Sequence, residues 1–491
     1  MKKFNKVLAV ITIMAGLFIG TREIYASESG TTYYVSATGT STDGTDINDP
    51  MSYAAANDQT KEYAAGSRIL LKRGDTFYGE FRPITRGLEG NEVYIGAYGE
   101  GPKPIISGAK IITDRDAFIQ EGDFFKIDLS DWNNYDGYRD VIKKNDTKIY
   151  YANVGFVQDR NGKKYGEHKQ YVPASNDFSN AKEKYDYLEV DKYLYIKTDV
   201  NPIDELGELT LGGYVTLYYV GDNTVTEDLH LQNTGWNGVE KRVYPIKNVT
   251  IRNCIVDNIG GSQQWGIYNS EGKFTLFGNG IQFWDGADDI LVEKNIIRNV
   301  YDAGFTIQSH VGSYDNVVVR DNLFINNEYS VELWDSQSST GIYNYEQYNN
   351  ISINQGRGWS HGARRDAGHG AEFVFFTVNK GFGGMNAHDN IFYNPRRLYF
   401  TPPEELENFK EGFTSDNNTI IIDEAEQSYI QNKTVNIKEF NKLQSEYNVD
   451  ANSTLSFLTD RAALASITAV ADFSLDYDEI KEHFLTTAGL E

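Results

Sequence analysis

Gly280-Ile-Gln-Phe-Trp284, Gly304-Phe-Thr-Ile-Gln308, Ser330-Val-Glu-Leu-Trp334 and Gly370-Ala-Glu-Phe-Val374 repeat one period-2 pattern. Ile281/Phe283, Phe305/Ile307, Val331/Leu333 and Ala371/Phe373 alternate with Gln282/Trp284, Thr306/Gln308, Glu332/Trp334 and Glu372/Val374, so each segment reads as a strand with an apolar inner face. Stacked as parallel neighbours in this alignment, the outward residues form a ladder.

A second motif recurs in phase with the first. Asn295-Ile-Ile-Arg-Asn299, Asn322-Leu-Phe-Ile-Asn326, Asn350-Ile-Ser-Ile-Asn354 and Asn390-Ile-Phe-Tyr-Asn394 follow one another at spacings of 27, 28 and 40, with Cys254-Ile-Val-Asp-Asn258 as an earlier, imperfect copy. Two short strands and a corner asparagine per period are what a β-solenoid requires, and its chain order predicts an all-β, right-handed parallel β-helix. A buried corner Asn can hydrogen-bond to the copies above and below; the alternative is that Asn simply marks turns.

The chain begins with Lys2, Lys3 and Lys6, an apolar run of 14 residues from Val7 to Gly20 and a small residue, Ala26, which together read as a signal peptide over 1–26. The run is short of the roughly 20 residues that span a bilayer. Cleavage would leave an exported protein whose formal charge moves from −24 to about −27, since four basic residues and one acidic one are lost (−24 minus +3). Such a surface repels nucleic acid and anionic membrane. One cysteine, Cys254, makes no internal disulfide; its alignment with the corner asparagines predicts a buried filler of that stack.

Residues 27–112 read as an N-terminal cap and first coils, with a capping helix over Met51 to Ala64 and strands at Arg68-Ile-Leu-Leu-Lys72 and Val93-Tyr-Ile-Gly96. Tyr34-Val-Ser36, Gly66 to Phe77 (GSRILLKRGDTF), Ile95-Gly-Ala-Tyr-Gly99 and Pro104-Ile-Ile-Ser-Gly108 resemble the opening of secreted right-handed parallel β-helix proteins of the pectate-lyase-like superfamily. Together with the Asn repeats, the resemblance covers about two thirds of the chain after 1–26. It implies the fold, and leaves lyase, hydrolase and non-catalytic roles open. Residues 113–212 break the repeat and read as a β-rich insertion, 213–424 as the main solenoid, and 425–491 as a helical cap or tail from the spacing in Ile437 to Tyr447 and Tyr477 to Phe484. A monomer is expected.

Reactive residues concentrate in the insertion from Gln355 to Gly370, which carries Trp359, His361, Arg364, Arg365, Asp366 and His369 and leads into Glu372. On the ladder alignment Glu332 lies one coil from Glu372, about 4.8 Å away. Two adjacent carboxylates repel, which raises one pKa and leaves the other low, the division of labour a glycosidase needs. Asp302 and Asp335 border the same face and would replace either glutamate. Gln282, Lys380 and the aromatic pair Trp284 and Trp334, two coils and roughly 10 Å apart, fit substrate binding, with flat rings under successive sugars. Asp288-Asp289 and Gly368-His369-Gly370 are similar to letters used by polygalacturonases, but they fall two to three coils apart with no Asn-Thr-Asp before them, so no role transfers. No metal-ligand spacing is present, and no cofactor is required; Asp43, Asp46 and Asp49 would hold calcium only if their loop folds back.

Three readings follow: a secreted glycoside hydrolase acting on extracellular polysaccharide through Glu332 and Glu372; a polysaccharide lyase with Arg364, Arg365 or Lys380 as base or acid-neutralising cation; and a non-catalytic, carbohydrate-binding surface protein.

Overall fold

The computed structural model describes residues 30–130, 132, 154–167, 169, 178–190, 192–242, 244–268, 274–335, 341–364, 368–376, 383–400, 411–423, 428–430, 433–435, 440–441, 444–445, 449–458 and 477–490. The segment read as a signal peptide lies outside them.

The chain is a parallel β-helix. Each full coil places one strand in each of three sheets, as in Ala287–Glu293, Ile296–Val300 and Ala303–Ser309, followed by Ser313–Arg320, Leu323–Ile325 and Tyr329–Asp335. Among the described residues eleven strands make sheet 1, thirteen belong to sheet 2 and seven to sheet 3. Among the described residues, sheets 1 and 3 pair in parallel, and in sheet 2 antiparallel pairs occur only where Val154–Gln158 and Ala109–Ile112 flank Leu209–Gly213. Inside the coils, Ile281, Phe305, Val331 and Phe373 stack in one column, and Phe283, Ile307, Leu333 and Phe375 in another, all within a continuous core. Each fully buried side chain of this size contributes about 1.5–3 kcal/mol, so the interior is held by repetition of modest terms.

The two asparagines of the repeated motif do different work. The first is a buried ladder: Asn295 Nδ2 donates to Asn322 Oδ1 at 3.0 Å, Asn322 to Asn350 at 3.0 Å, Asn350 to Asn390 at 3.1 Å, and Asn390 to Asn418 at 3.1 Å. Asn418 adds a rung that the motif had not included. Cys254 occupies the preceding rung, its N–H donating to Asn295 Oδ1 at 2.9 Å. The second asparagine turns the corner: Asn299, Asn326, Asn354 and Asn394 have φ of 54°, 56°, 59° and 57°, a region that Asn enters more readily than most side chains. Stacking and turn-marking are thus both present, at opposite ends of one strand.

The expected capping helix shrinks to Tyr53–Ala56, between strands Met51–Ser52 and Glu62–Ala64. Ser52 Oγ caps it by accepting from the Ala55 N–H at 3.1 Å, but Asp58 Oδ1 accepts from the Thr60 N–H at 2.8 Å and draws the chain into a turn. At the other end the helix Tyr477–Ala488 forms as expected, laying Tyr477, Ile480 and Phe484 on the outer face of sheet 2 against Ile296, Leu323, Ile351 and Tyr393. Most of 437–447 lies outside the described residues. Between Ile112 and Leu209 the coil is interrupted by an antiparallel sheet of Phe118–Glu121, Phe124–Asp128, Tyr193–Lys197 and Tyr187–Val190, with an apolar core of its own. Among the described residues no helix is long and apolar enough to cross a membrane.

Candidate active site

The register of sheet 3 overturns the pairing of Glu332 with Glu372. Tyr329 pairs with Ala371, Val331 with Phe373 and Glu332 with Val374, so the strand 371–376 sits two residues along from the sequence alignment. A slip of two preserves the alternation of faces, which is why apolar periodicity does not detect it. Glu372 falls instead in the column of Gly280, Gly304 and Ser330, at the corner where side chains turn inward. A Cβ on Gly280 would meet Ile297, and one on Gly304 would meet Phe324, both core residues of sheet 2. Glu372 is fully buried there; Ser330 Oγ and Ser352 Oγ donate to its Oε2 at 2.6 and 2.5 Å, and its Oε1 has no partner among the described residues. Burial pushes this carboxyl up to about 7, against the two serine hydroxyls, which pull it down. It is enclosed by the coil and out of reach of a polysaccharide.

Carboxylates do stand side by side one corner earlier. Asp302 and Glu328 directly precede the paired residues Ala303 and Tyr329, so they lie one coil apart, about 4.8 Å along the stack. The loop 355–370, which carries a short helix Trp359–Ala363, supplies a partner to each. Arg364 Nη1 is 3.0 Å from Asp302 Oδ1 and also donates to Tyr301 O at 3.1 Å. His361 Nδ1 sits 3.1 and 3.2 Å from the two oxygens of Glu328, and the Gly370 N–H donates to Glu328 Oε1 at 3.0 Å. Arg364, expected to grip substrate, is only 5 % exposed and is spent on the coil. Trp359, expected to stack on a sugar, donates from its indole N–H to Asn299 O at 3.0 Å and packs edge-on against Tyr301 and Phe156, with Lys164 Nζ 4.4 Å from its ring centre. That amine is half-buried and drawn down to about 7 by desolvation, opposed by Asp257.

On the outer face of sheet 3, Gln282, Thr306 and Glu332 form one column, with Glu240 one strand earlier. Asn279 holds Gln282, which donates to Glu240 Oε1 at 3.2 Å; Thr216 and Asn237 also donate to Glu240, while burial pushes its carboxyl up. Gln308 Nε2 donates to Glu332 Oε2 at 3.2 Å. Tyr329, buried on the strand that carries Glu332, has the Arg364 guanidinium 5.6 Å from its ring centre. Its phenol is pushed well up, first by burial and then by the charges of Glu328, Asp302 and Glu332, with Arg364 opposing.

Trp284 and Trp334 do share a column two coils apart, with Gln308 between them in register. Their rings nevertheless lean together, centroids 5.7 Å apart and planes at 14°, and His310 closes on both at 4.8 and 4.7 Å. Long side chains close the expected 10 Å gap because aromatic contact removes apolar surface from water, leaving one composite patch instead of two sugar platforms. His369 stacks on Phe400 with centroids 3.6 Å apart. Asp335 ends its strand opposite Ser309; its side chain, with Arg365, Asp366 and Lys380, lies outside the described residues. Asp43 accepts from Thr45 and Asp46 from Asn48 within their own turn, and no group of three or more metal-binding side chains occurs among the described residues.

Glu328 and Glu240 were not singled out in the sequence. Glu328 was legible in principle, since it stands two residues after Asn326 as Asp302 stands three after Asn299; Glu240 lies in a coil that the strand pattern did not reach.

No family model and no curated protein matches the chain. Among solved structures it is similar to a complex of XylC with xylose (12% identity, 87% of this chain and 82% of that one, TM-score 0.45). It is also similar to a glycoside hydrolase (9%, 87% and 96%, 0.42) and to pectate lyase Pel9A (14%, 87% and 78%, 0.36). The chemistry of this chain rests on its own residues.

Proposed function

We propose that the chain is an exported carbohydrate-active enzyme, and within that class a glycoside hydrolase working at the outer face of sheet 3, with Asp302 as the ionised carboxylate and Glu332 as the proton donor. The observation that carries this reading is that Arg364, 3.0 Å from Asp302 Oδ1, also lies 5.6 Å from the ring centre of Tyr329, on the strand that carries Glu332. Asp302 is held by a guanidinium at 3.0 Å, while Glu332 Oε2 accepts from an amide, Gln308 Nε2, at 3.2 Å. Two carboxyls in unlike surroundings are what acid and base or nucleophile roles require.

The lyase reading loses its described candidate base, because Arg364 stays protonated and is committed to Asp302. A polysaccharide panel with reducing ends and ultraviolet absorbance recorded together tests the proposal. Reducing ends without unsaturated product are expected. Unsaturated product would replace hydrolysis by elimination, and binding without either product would leave a carbohydrate-binding protein.

A further inference from the structure

A second feature lies on the far side of His361. A cleft of about 450 Å³ is lined by Asn354, Arg357, His361, Asn394 and Arg396, with Gly356, Gly358 and Gly362 between them. Its size falls within the range of small-ligand sites. Among the described residues no carboxylate lines it, although the chain carries 70 acidic residues against 46 basic ones. Arg357 is fixed by donating to the carbonyl oxygens of Asn394 and Pro395 at 2.9 and 3.3 Å. Asn394 Nδ2 donates to Asn354 Oδ1 at 2.7 Å, which orients the amide, and its Oδ1 is buried with no partner among the described residues. Asn394 is only 3 % exposed, so an unpaired acceptor there is costly unless something donates to it.

We propose that this cleft is an anion subsite for an acidic sugar unit, one bearing a carboxylate or a sulfate. The unit would place its anion between Arg357 and Arg396 and donate a hydroxyl to Asn394 Oδ1. Guanidinium forks match the geometry of both anions, and a sugar supplies the hydroxyl donor that a bare inorganic anion lacks. The inference deepens the proposed hydrolase reading: through His361, whose Nδ1 contacts Glu328, the cleft lies one side chain from the Asp302 and Glu328 corner. Concentrating cations here also lets a net charge of −24 coexist with an anionic ligand, since local charge governs close contact at physiological salt.

The test is calorimetric binding of three oligosaccharides of equal length to the full chain: a galacturonate, a sulfated galactose and a neutral galactose oligomer, each at low salt and at about 0.5 M salt. Tighter binding of one acidic oligomer, weakened by salt, supports the subsite and says which anion it takes. Equal binding of all three overturns it. Gly362→Glu places a carboxylate at a position where a Cβ meets nothing within 4 Å, so the fold should tolerate it. The ratio of acidic to neutral affinity should fall at least about tenfold in this variant and in Arg396→Gln. Unchanged ratios in both overturn the proposal. Acidic binding without cleavage would sink the hydrolase reading and leave the subsite standing; cleavage of neutral oligomers with no preference for acid would do the reverse.

Discussion

Glu372 Oε2 accepts a hydrogen bond from Ser330 Oγ at 2.6 Å inside the coil, because the register of the strand Ala371–Phe376 sets Glu372 beside Ser330 and not beside Glu332. The buried carboxyl binds its proton more tightly in the folded chain, at about 7 against an ordinary 4.5. Its stabilising contribution is therefore fully present below about pH 4.5 and lost as pH rises through about 7. Glu372→Gln, which imitates the protonated form, should raise the melting temperature at pH 8 and change it little at pH 5. A variant that is destabilised equally at both pH values would show that the carboxyl does not titrate in this way.

Arg364→Ala should act on stability before it acts on substrate. The Asp302 to Arg364 pair is buried on both sides, so deleting the cation leaves a carboxylate stranded, at a cost of about 3–5 kcal/mol. Thermal melting checks this, and Arg364→Ala combined with Asp302→Ala should recover part of the loss. A single variant with a normal melt would show that the loop is not clasped through this pair.

The asparagine ladder should respond as a network. Asn322 Nδ2 donates to Val292 O and Arg320 O at 2.9 Å each as well as to Asn350, and its Oδ1 accepts from the Asn295 N–H at 3.0 Å. Asn322→Ala leaves several buried groups unpaired and should cost about 3 kcal/mol or more by denaturant titration. A loss below about 1 kcal/mol would mean that water fills the gap and the ladder is incidental.

Cys254 should be chemically silent. Its thiol is 2 % exposed and pushed up to about 12 by burial, so almost no thiolate exists at pH 8. A disulfide reagent should label it only after unfolding, and rapid labelling of the native protein would contradict its place in the ladder.

Glu332→Gln keeps shape and hydrogen bonding while removing ionisation. If Glu332 donates the proton, turnover on any substrate the parent cleaves should fall by about 100-fold or more with the melting temperature preserved. Wild-type turnover would move the role to Glu240, in the same column of that face, whose carboxyl is pushed up by burial.

The sequence by itself determined the coil. Period-2 alternation in Ile281 to Trp284 and its copies, and Asn-x-x-x-Asn at regular spacing, encode inner columns and corners locally, because each rung repeats the chemistry of the last. What only the tertiary structure decided was how neighbouring coils are phased and what covers them. The 40-residue step from Asn350 to Asn390 holds the loop 355–370, and no local rule says at which residue the strand after it rejoins the sheet. A shift of two leaves every apolar residue on its proper face, yet it carries Glu372 from the outer ladder into the core. The same loop returns Arg364 and His361 to Asp302 and Glu328, contacts separated by 62 and 33 residues. Such long-range pairings follow from chain closure and burial of charge, which act only once the coils are stacked.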